Sequence, residues 1–298
     1  MKVNVLLFTY NHADFIEKAL EGIRIQQTNF DVHVFISDDG SQDGTQAKIE
    51  AYLASHEMPS VKCFFQSKNE GIVSSAKRLL AQVNAPYFAL LDGDDFWIDP
   101  LKLQKQIDFL DANPAFNGCI HNAQFQHENG ADEILFKGNQ SYHERYHYLD
   151  EIFPNNLIKR LILPTSSIVV RTDFIPTIPW DDIKDEYSVT WKITCFAIAK
   201  SKFKYLPEVM SVYRNHLKGI SKGSKRAFHW SHIYFLQKLR SNALFELYHL
   251  EVFESIVFEA RQILENVSLE KREKRKLFRI QWFYSMLAQW AYYRRIVK

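Results

Sequence analysis

Several absences narrow what this chain can be. Three cysteines, Cys63, Cys119 and Cys195, are far apart and odd in number. They form neither a disulfide framework nor the paired spacing of a zinc site, and buried free thiols fit a reducing compartment. The formal net charge is only +2, so whole-chain electrostatics make no case for nucleic acid as a partner. No apolar run approaches the length of a membrane span. The first run, residues 3–8, is too short for a secretory signal and has no cleavage site after it. A cytoplasmic protein is the expectation. No loop carries Gly-x-Gly-x-x-Gly or the Walker pattern, which weighs against dinucleotide hydride chemistry and P-loop phosphoryl transfer. Glycine and proline both vanish after Gly223, and from Lys225 the chain reads as helix to its end.

Apolar runs at 3–8, 32–36, 61–65 and 87–91 read as strands. Helical spacing separates them. Ile16, Ala19, Leu20 and Ile23 mark a helix to about residue 27; 47–54 is a second; 72–83 is a third, with Ile72, Ala76, Leu79, Leu80 and Val83 on one face. Asp14 precedes Glu17 by three residues, a variant of the capping box. Pro100 opens a fourth helix carrying Leu103, Ile107 and Leu110. This alternation implies a mostly parallel sheet with helices on both faces and right-handed crossovers. The second half is less regular. Residues 118–127 and 166–171 look like strands, 128–164 has no clean period, 186–199 reads as helix, and 203–206 is a short strand.

The loops after the first four strands gather at one sheet edge, where open α/β sheets bind ligands. They carry Thr9-Tyr10-Asn11, Asp38-Asp39, Lys68-Asn69 and Asp92-Gly93-Asp94-Asp95. Three carboxylates within four positions need a counter-charge, and a hard divalent cation with oxygen ligands is the usual one. The result is a nucleotide-sized crevice lined with polar groups.

Four motifs in this order and spacing resemble glycosyltransferase family 2, inverting enzymes of the GT-A fold. They are Thr9-Tyr10-Asn11, Asp38-Asp39-Gly40-Ser41-x-Asp43-Gly44-Thr45, Asn69-x-Gly71 and Asp92-Gly93-Asp94-Asp95-x-Trp97. The resemblance continues more weakly through Pro207–His216 and does not reach the C-terminal helices. It implies an α/β, GT-A type nucleotide-binding fold with a C-terminal α-helical appendage. The expected domains are 1–223, with a nucleotide-binding half at 1–115 and an acceptor-binding half at 116–223, and a helical region at 224–298.

The implied reaction moves a sugar from a nucleoside diphosphate sugar, with UDP the expected nucleotide, to a hydroxyl of a glycan or lipid-linked glycan acceptor. A hexosyl- or N-acetylhexosaminyltransferase of bacterial surface polysaccharide or glycolipid synthesis is the expected type. Mn²⁺ or Mg²⁺ would stabilise the departing diphosphate. The resemblance assigns the metal to Asp94, with Asp95 sharing the metal or the ribose, and to His216 as a third ligand or a diphosphate contact; imidazole suits Mn²⁺ better than Mg²⁺. Donor nucleotide contacts fall to Thr9, Tyr10, Asn11, Asp38, Asp39, Lys68, Asn69, Asp92 and Gly93. One of Asp38 and Asp39, with Asp39 preferred, would accept the imide N–H of uracil; thymine presents the same imide, so UDP and dTDP are not separated. Lys77 and Arg78 could meet phosphates or form a solvated helix face.

Inversion also needs a catalytic base to take the acceptor proton. Relatives place an acid at the start of the helix before the short strand, where this chain has Ser188-Val189-Thr190. A shift of about one turn makes Asp185 or Glu186 the candidate, against a simple capping role. Two other classes stay in view. A nucleotidyltransferase would need a basic Gly-rich loop that residues 9–14 lack. A non-catalytic sugar-nucleotide-binding scaffold would explain the displaced acid. Finally, residues 271–298 are basic and aromatic. They suit the inner face of a cell membrane, or packing on a second subunit or on the catalytic domain. Nucleic acid is disfavoured because no recognised module accompanies the charge.

Overall fold

The computed structural model describes residues 2–127, 132–134, 150–159, 163–180, 188–216 and 224–297. In chain order the elements begin with β1 (Val3–Thr9), α1 (Ile16–Arg24), β2 (Val32–Asp38), α2 (Thr45–Ser55), β3 (Ser60–Phe65), α3 (Ile72–Leu80) and β4 (Tyr87–Asp92). Next come β5 (Phe96–Trp97), α4 (Lys102–Ala112), β6 (Phe116–His127), β7 (Asp132–Ile134), β8 (Glu151–Ile152), α5 (Pro154–Ile158) and β9 (Val169–Arg171). The chain closes with α6 (Val189–Lys200), β10 (Lys202–Asn215), α7 (Lys225–Leu239), α8 (His249–Asn266) and α9 (Lys271–Val297).

They fall into two compact units. The first holds Met1–Ile152, Leu163–Ile178 and Phe196–His216; the second holds Phe153–Ile162, Pro179–Cys195 and Leu217–Lys298. The segmentation read from composition follows the loss of Gly and Pro at 223. The compact units follow packing, which groups α5 and the first part of α6 with the C-terminal helices.

The first unit is built on one sheet of order β3-β2-β1-β4-β9-β6-β10-β5, with β7 on β6 and β8 on β10. From β3 to β4 every pairing is parallel, as the β-α alternation predicts. Two-residue periodicity sends Val3, Val5 and Leu7 to one face. There they join Val34, Ile36, Ala89 and Leu91, with Ile16, Leu20 and Ile23 of α1 and Leu103, Ile107 and Leu110 of α4. Burying such side chains is worth about 1.5–3 kcal/mol each, and this layer fixes the register of the strand ends. Register is the functional point, because Thr9 pairs with Asp38 and Phe8 with Asp92.

Some expectations change. The capping box at Asp14 does not form; the cap residue of α1 is Phe15, with no side-chain cap. The strand expected at 166–171 shortens to β9, because Thr165–Ser167 forms a tight helical turn. β9 runs antiparallel between β4 and β6. The short strand at 203–206 is the start of β10, whose register against β6 shifts between Leu206 and Val209. Pro207 lies in that gap and has no N–H for the ladder. In the second unit the C-terminal helix is three helices, with a turn at Ala243–Tyr248 after the first. Ile233, Leu236, Val252, Ile256, Ile263 and Leu277 are fully or almost fully buried in it.

Candidate active site

The crevice is assembled in the first unit from loop backbone before any side chain is counted. Asn11 sits at φ 55, a left-handed conformation that Asn tolerates better than most residues. Its N–H donates to Ser41 Oγ (2.7 Å) and its Oδ1 accepts from Gln42 N (2.9 Å). His12 N donates to Thr45 Oγ1 (2.9 Å) and Ala13 N to Asp43 Oδ2 (3.0 Å). Asp43 also takes Thr45 N and Oγ1. Burial alone would raise its pKa, but these donors outweigh burial and hold it low. The acid-rich loop after β2 thus clasps the loop after β1.

Asp38 and Asp39 differ in what they already hold. Asp38 is fully buried and accepts from Ser41 N, Ser41 Oγ and Gln46 Nε2. Asp39 accepts Glu70 N at 2.9 Å and Gly71 N at 2.8 Å, one on each oxygen. Each oxygen keeps a second lone-pair site. Burial raises the Asp39 pKa against those hydrogen bonds. Asn69 Oδ1 accepts from Gly71 N at 2.9 Å, so its side chain shapes the turn. Lys68 is exposed, and its backbone lies where a Cβ on Gly40, at φ +76, would sit within 2.4 Å. Arg78 pairs with Glu70 (2.6 Å). Thr9 is buried, Tyr10 is 40% exposed, and both flank the same edge.

At the end of β4 the backbone is equally tight. A Cβ on Gly93 would meet Thr9 Oγ1 at 2.8 Å and His12 Nδ1 at 3.0 Å. The three carboxylates then diverge. Asp92 accepts from Thr165; burial and its neighbour Asp94 push its pKa up to about 7. Asp95 is buried, takes Arg214 N on Oδ1 at 2.9 Å, and is held well above the ordinary carboxylate range by burial and by Asp94 and Asp92. Its Oδ2 has no hydrogen-bond partner. Asp94 instead faces imidazole. His216 Nε2 lies 3.1 Å and His12 Nε2 3.7 Å from its Oδ2. Burial opposes its charge, yet those two rings keep its pKa low.

β5 and β10 deliver this arrangement. Trp97 pairs with Ser211 and Phe96 with Val212, which carries Arg214 and His216 to the acidic loop. Arg214 Nη1 donates to Asp94 O at 2.6 Å, and its guanidinium lies 4.3 Å from the centre of the Phe96 ring. His216 also packs 4.5 Å from Phe15, centre to centre.

Of the residues expected at a metal, Asp94 and His216 are brought together, while Asp95 is turned to the backbone of β10. His12 was not anticipated. Its only sequence signal is its place directly after Thr9-Tyr10-Asn11. Burial lowers its pKa against the pull of Asp94, which favours the neutral ring that ligates metals. The buried Nδ1 atoms of His12 and His216 have no hydrogen-bond partner. Among the described residues no group of three or more His, Cys, Asp or Glu side chains is already arranged as a metal cage. One carboxylate and two imidazoles on one side still fit a divalent ion whose other ligands come from substrate phosphates. Asp185 and Glu186 lie outside the described residues.

The family model for glycosyl transferase family 2 matches residues 4–163, more than half of the chain. The chain belongs to glycosyl transferase family 2. An uncharacterized protein of Mycobacterium tuberculosis is 31% identical over 220 residues, 73% of this chain. The chain covers only 60% of that relative's length. Two solved glycosyltransferases share the GT-A fold at low identity. TarS from S. aureus, in complex with UDP-GlcNAc, matches with a TM-score of 0.67 at 16% identity, over 95% of this chain and 80% of its own. A mannosyltransferase from Pyrobaculum calidifontis, in complex with GDP-Man and Mn2+, matches with a TM-score of 0.60 at 16% identity, over 98% of this chain and 84% of its own. No described helix is long and apolar enough to cross a membrane.

Proposed function

We propose that this family 2 protein is a metal-dependent inverting glycosyltransferase that moves a hexose or N-acetylhexosamine from a UDP-sugar to an acceptor hydroxyl. The observation that carries the reading is the convergence of His12 and His216 on Asp94 Oδ2, on the same strand-end edge as Asp38 and Asp39. Asp39 would accept the imide N–H of the base on a remaining lone pair, within walls set by Thr9, Tyr10 and Asn11. Asp92 would meet the ribose. Asp94, His12 and His216 would hold Mn²⁺, or less favourably Mg²⁺, with Asp95 fixing Arg214 behind them. When bound, the ion supplies positive charge against the departing diphosphate.

Inversion is a single displacement, so an acid must take the proton of the attacking hydroxyl. Asp185 or Glu186 is the proposed base. Asp185→Asn and Glu186→Gln are the variants that assign it. The route for the product would be bacterial surface polysaccharide or glycolipid synthesis, with a lipid-linked glycan as acceptor at the inner face of the cell membrane.

The proposed membrane contact rests on α9. Phe278, Trp282, Met286, Trp290 and Tyr293 recur every three or four residues and are exposed, Trp282 by 65%. Lys271, Arg275 and Arg279 fall on the same side by the helical period, while Leu277 and Tyr284 are buried on the other. Exposed aromatics flanked by cations are complementary to an anionic lipid surface. Sedimentation with phosphatidylglycerol vesicles, and none with phosphatidylcholine, is expected; equal behaviour with both removes the membrane surface as the partner.

The central test is release of UDP from a panel of UDP-, dTDP- and GDP-sugars with Mn²⁺, with and without EDTA. Turnover with a UDP-sugar that EDTA abolishes is expected. No turnover and no binding of any donor would sink the reading, and turnover indifferent to EDTA would remove the metal from it.

A further inference from the structure

The second unit holds a cluster to which the proposed sugar transfer gives no role. We propose that Ser188, His232 and Glu259 form a second catalytic centre, in which a nucleophilic serine takes an acyl group from an ester and passes it to water. Ser188 Oγ lies 2.8 Å from His232 Nε2. His232 Nδ1 lies 3.0 Å from Glu259 Oε1. This is the order of contacts that lets a hydroxyl lose its proton to an imidazole held by a buried acid.

Three details fit chemistry better than packing alone. The first is backbone. Ser188 directly precedes α6 at φ 54, a conformation rare for serine and costly without a reason. Its carbonyl accepts the helical bond from Lys192 N at 3.0 Å, yet its hydroxyl turns to His232. The second is tautomer. Glu259 is completely buried and faces Nδ1 of both His232 and His229, the latter at 2.5 Å. As a carboxylate, Glu259 would accept from both rings, each donating through Nδ1. That leaves the His232 Nε2 lone pair aimed at the serine hydroxyl. The third is orientation. The His232 ring is flanked by Trp191 at 4.7 Å and Phe228 at 4.3 Å, centre to centre.

The surroundings suit a developing negative charge. The first-turn amides of α6 follow Ser188 and have no acceptor within the helix, so they are donors for an oxyanion. Lys192, one turn along, is buried and donates to Ser231 Oγ at 3.0 Å. Ser188 itself is only half-buried, while the residues behind it are closed off.

The step balances without an added oxidant or cofactor. Ser188 Oγ bonds to the ester carbonyl carbon and its proton passes to His232 Nε2. The C–O bond of the ester breaks, and the leaving alkoxide takes that proton. Water then attacks the acyl-serine by the same route, releasing the carboxylic acid and restoring the serine.

The test treats the full-length protein with a fluorophosphonate and locates the adduct by peptide mass spectrometry. Labelling joins Oγ to phosphorus and expels fluoride, so it requires an activated serine. The expected result is an adduct on Ser188, with p-nitrophenyl acetate hydrolysis at least 100-fold slower in Ser188→Ala at an unchanged melting temperature. His232→Gln should slow labelling at least 100-fold. An unlabelled protein, or an adduct on another residue, overturns the proposal. Mapping the unmodified sequence needs no variant to fold. Sugar transfer is a separate readout, so either reading can fail alone.

Discussion

Among the described residues the same trio, one carboxylate with two imidazoles, occurs in two places and is presented in opposite ways. At Asp94 both histidines approach through Nε2, from loops at a sheet edge, and both Nδ1 atoms lack hydrogen-bond partners. At Glu259 both approach through Nδ1, from within a helix, and His232 Nε2 is spent on Ser188. The Asp94 side chain is 18% exposed and that of Glu259 is not exposed at all. A carboxylate left partly open, among other acids, has room for the cation proposed above. A carboxylate sealed between two N–H donors is already satisfied and instead orients its neighbours. Composition is equal in the two places; backbone context decides between ligand binding and proton relay.

Substitutions can break this contrast. Asp94→Asn should lower sugar transfer about 1000-fold, as loss of a main charge-stabilising group does, with little change in melting temperature; nucleotide release and a thermal melt measure both. Glu259→Ala should do the reverse to the fold, costing about 3 kcal/mol because two buried imidazoles lose their acceptor, as read by urea denaturation. An Asp94 variant that unfolds, or a Glu259 variant that melts normally, would erase the distinction.

Two smaller effects sharpen it. His12→Ala should weaken Mn²⁺ activation of turnover about 10- to 100-fold, the range for a lost metal-supporting group, seen in a Mn²⁺ titration. Lys102 supplies a buried charge with no carboxylate bonded to it. It is fully buried over the Trp97 ring at 4.1 Å, and its Nζ has no hydrogen-bond partner. Burial pulls its pKa from 10.5 down to about 7. Between those values the unfolded chain binds the extra proton, so stability rises with pH across that window. Lys102→Met should therefore stabilise the fold by about 2 kcal/mol near pH 7. The gain should fade toward pH 10.5, and melts at several pH values test this.

The parallel half of the sheet was readable because each strand is a continuous apolar run ending in a polar loop, and burial on both faces makes such runs conspicuous. Asp38, Asp39, Asp92, Asp94 and Asp95 were readable for the same reason: they stand where those runs stop. β9 was not, since a three-residue antiparallel strand has too few residues for a period. β10 was read in pieces because Pro207 interrupts its pattern. His12 was invisible as a ligand candidate because a single histidine has no period, and only the Gly93 turn brings Asp94 to it. The sequence likewise could not show that Asp95 is occupied by Arg214 N, since that contact spans 119 positions.

The pairing of Asp94 with His216 joins positions 122 apart. A ribosome adding about 5–20 residues per second needs roughly 6 to 24 s to make that interval. For that time the nascent chain can hold its first four strands, with Asp39 and Asp92 in place, while Asp94 has only His12 beside it. The two sides of the crevice therefore mature on different clocks: the loops after the first four strands can be set seconds before the last imidazole arrives to close on the acid.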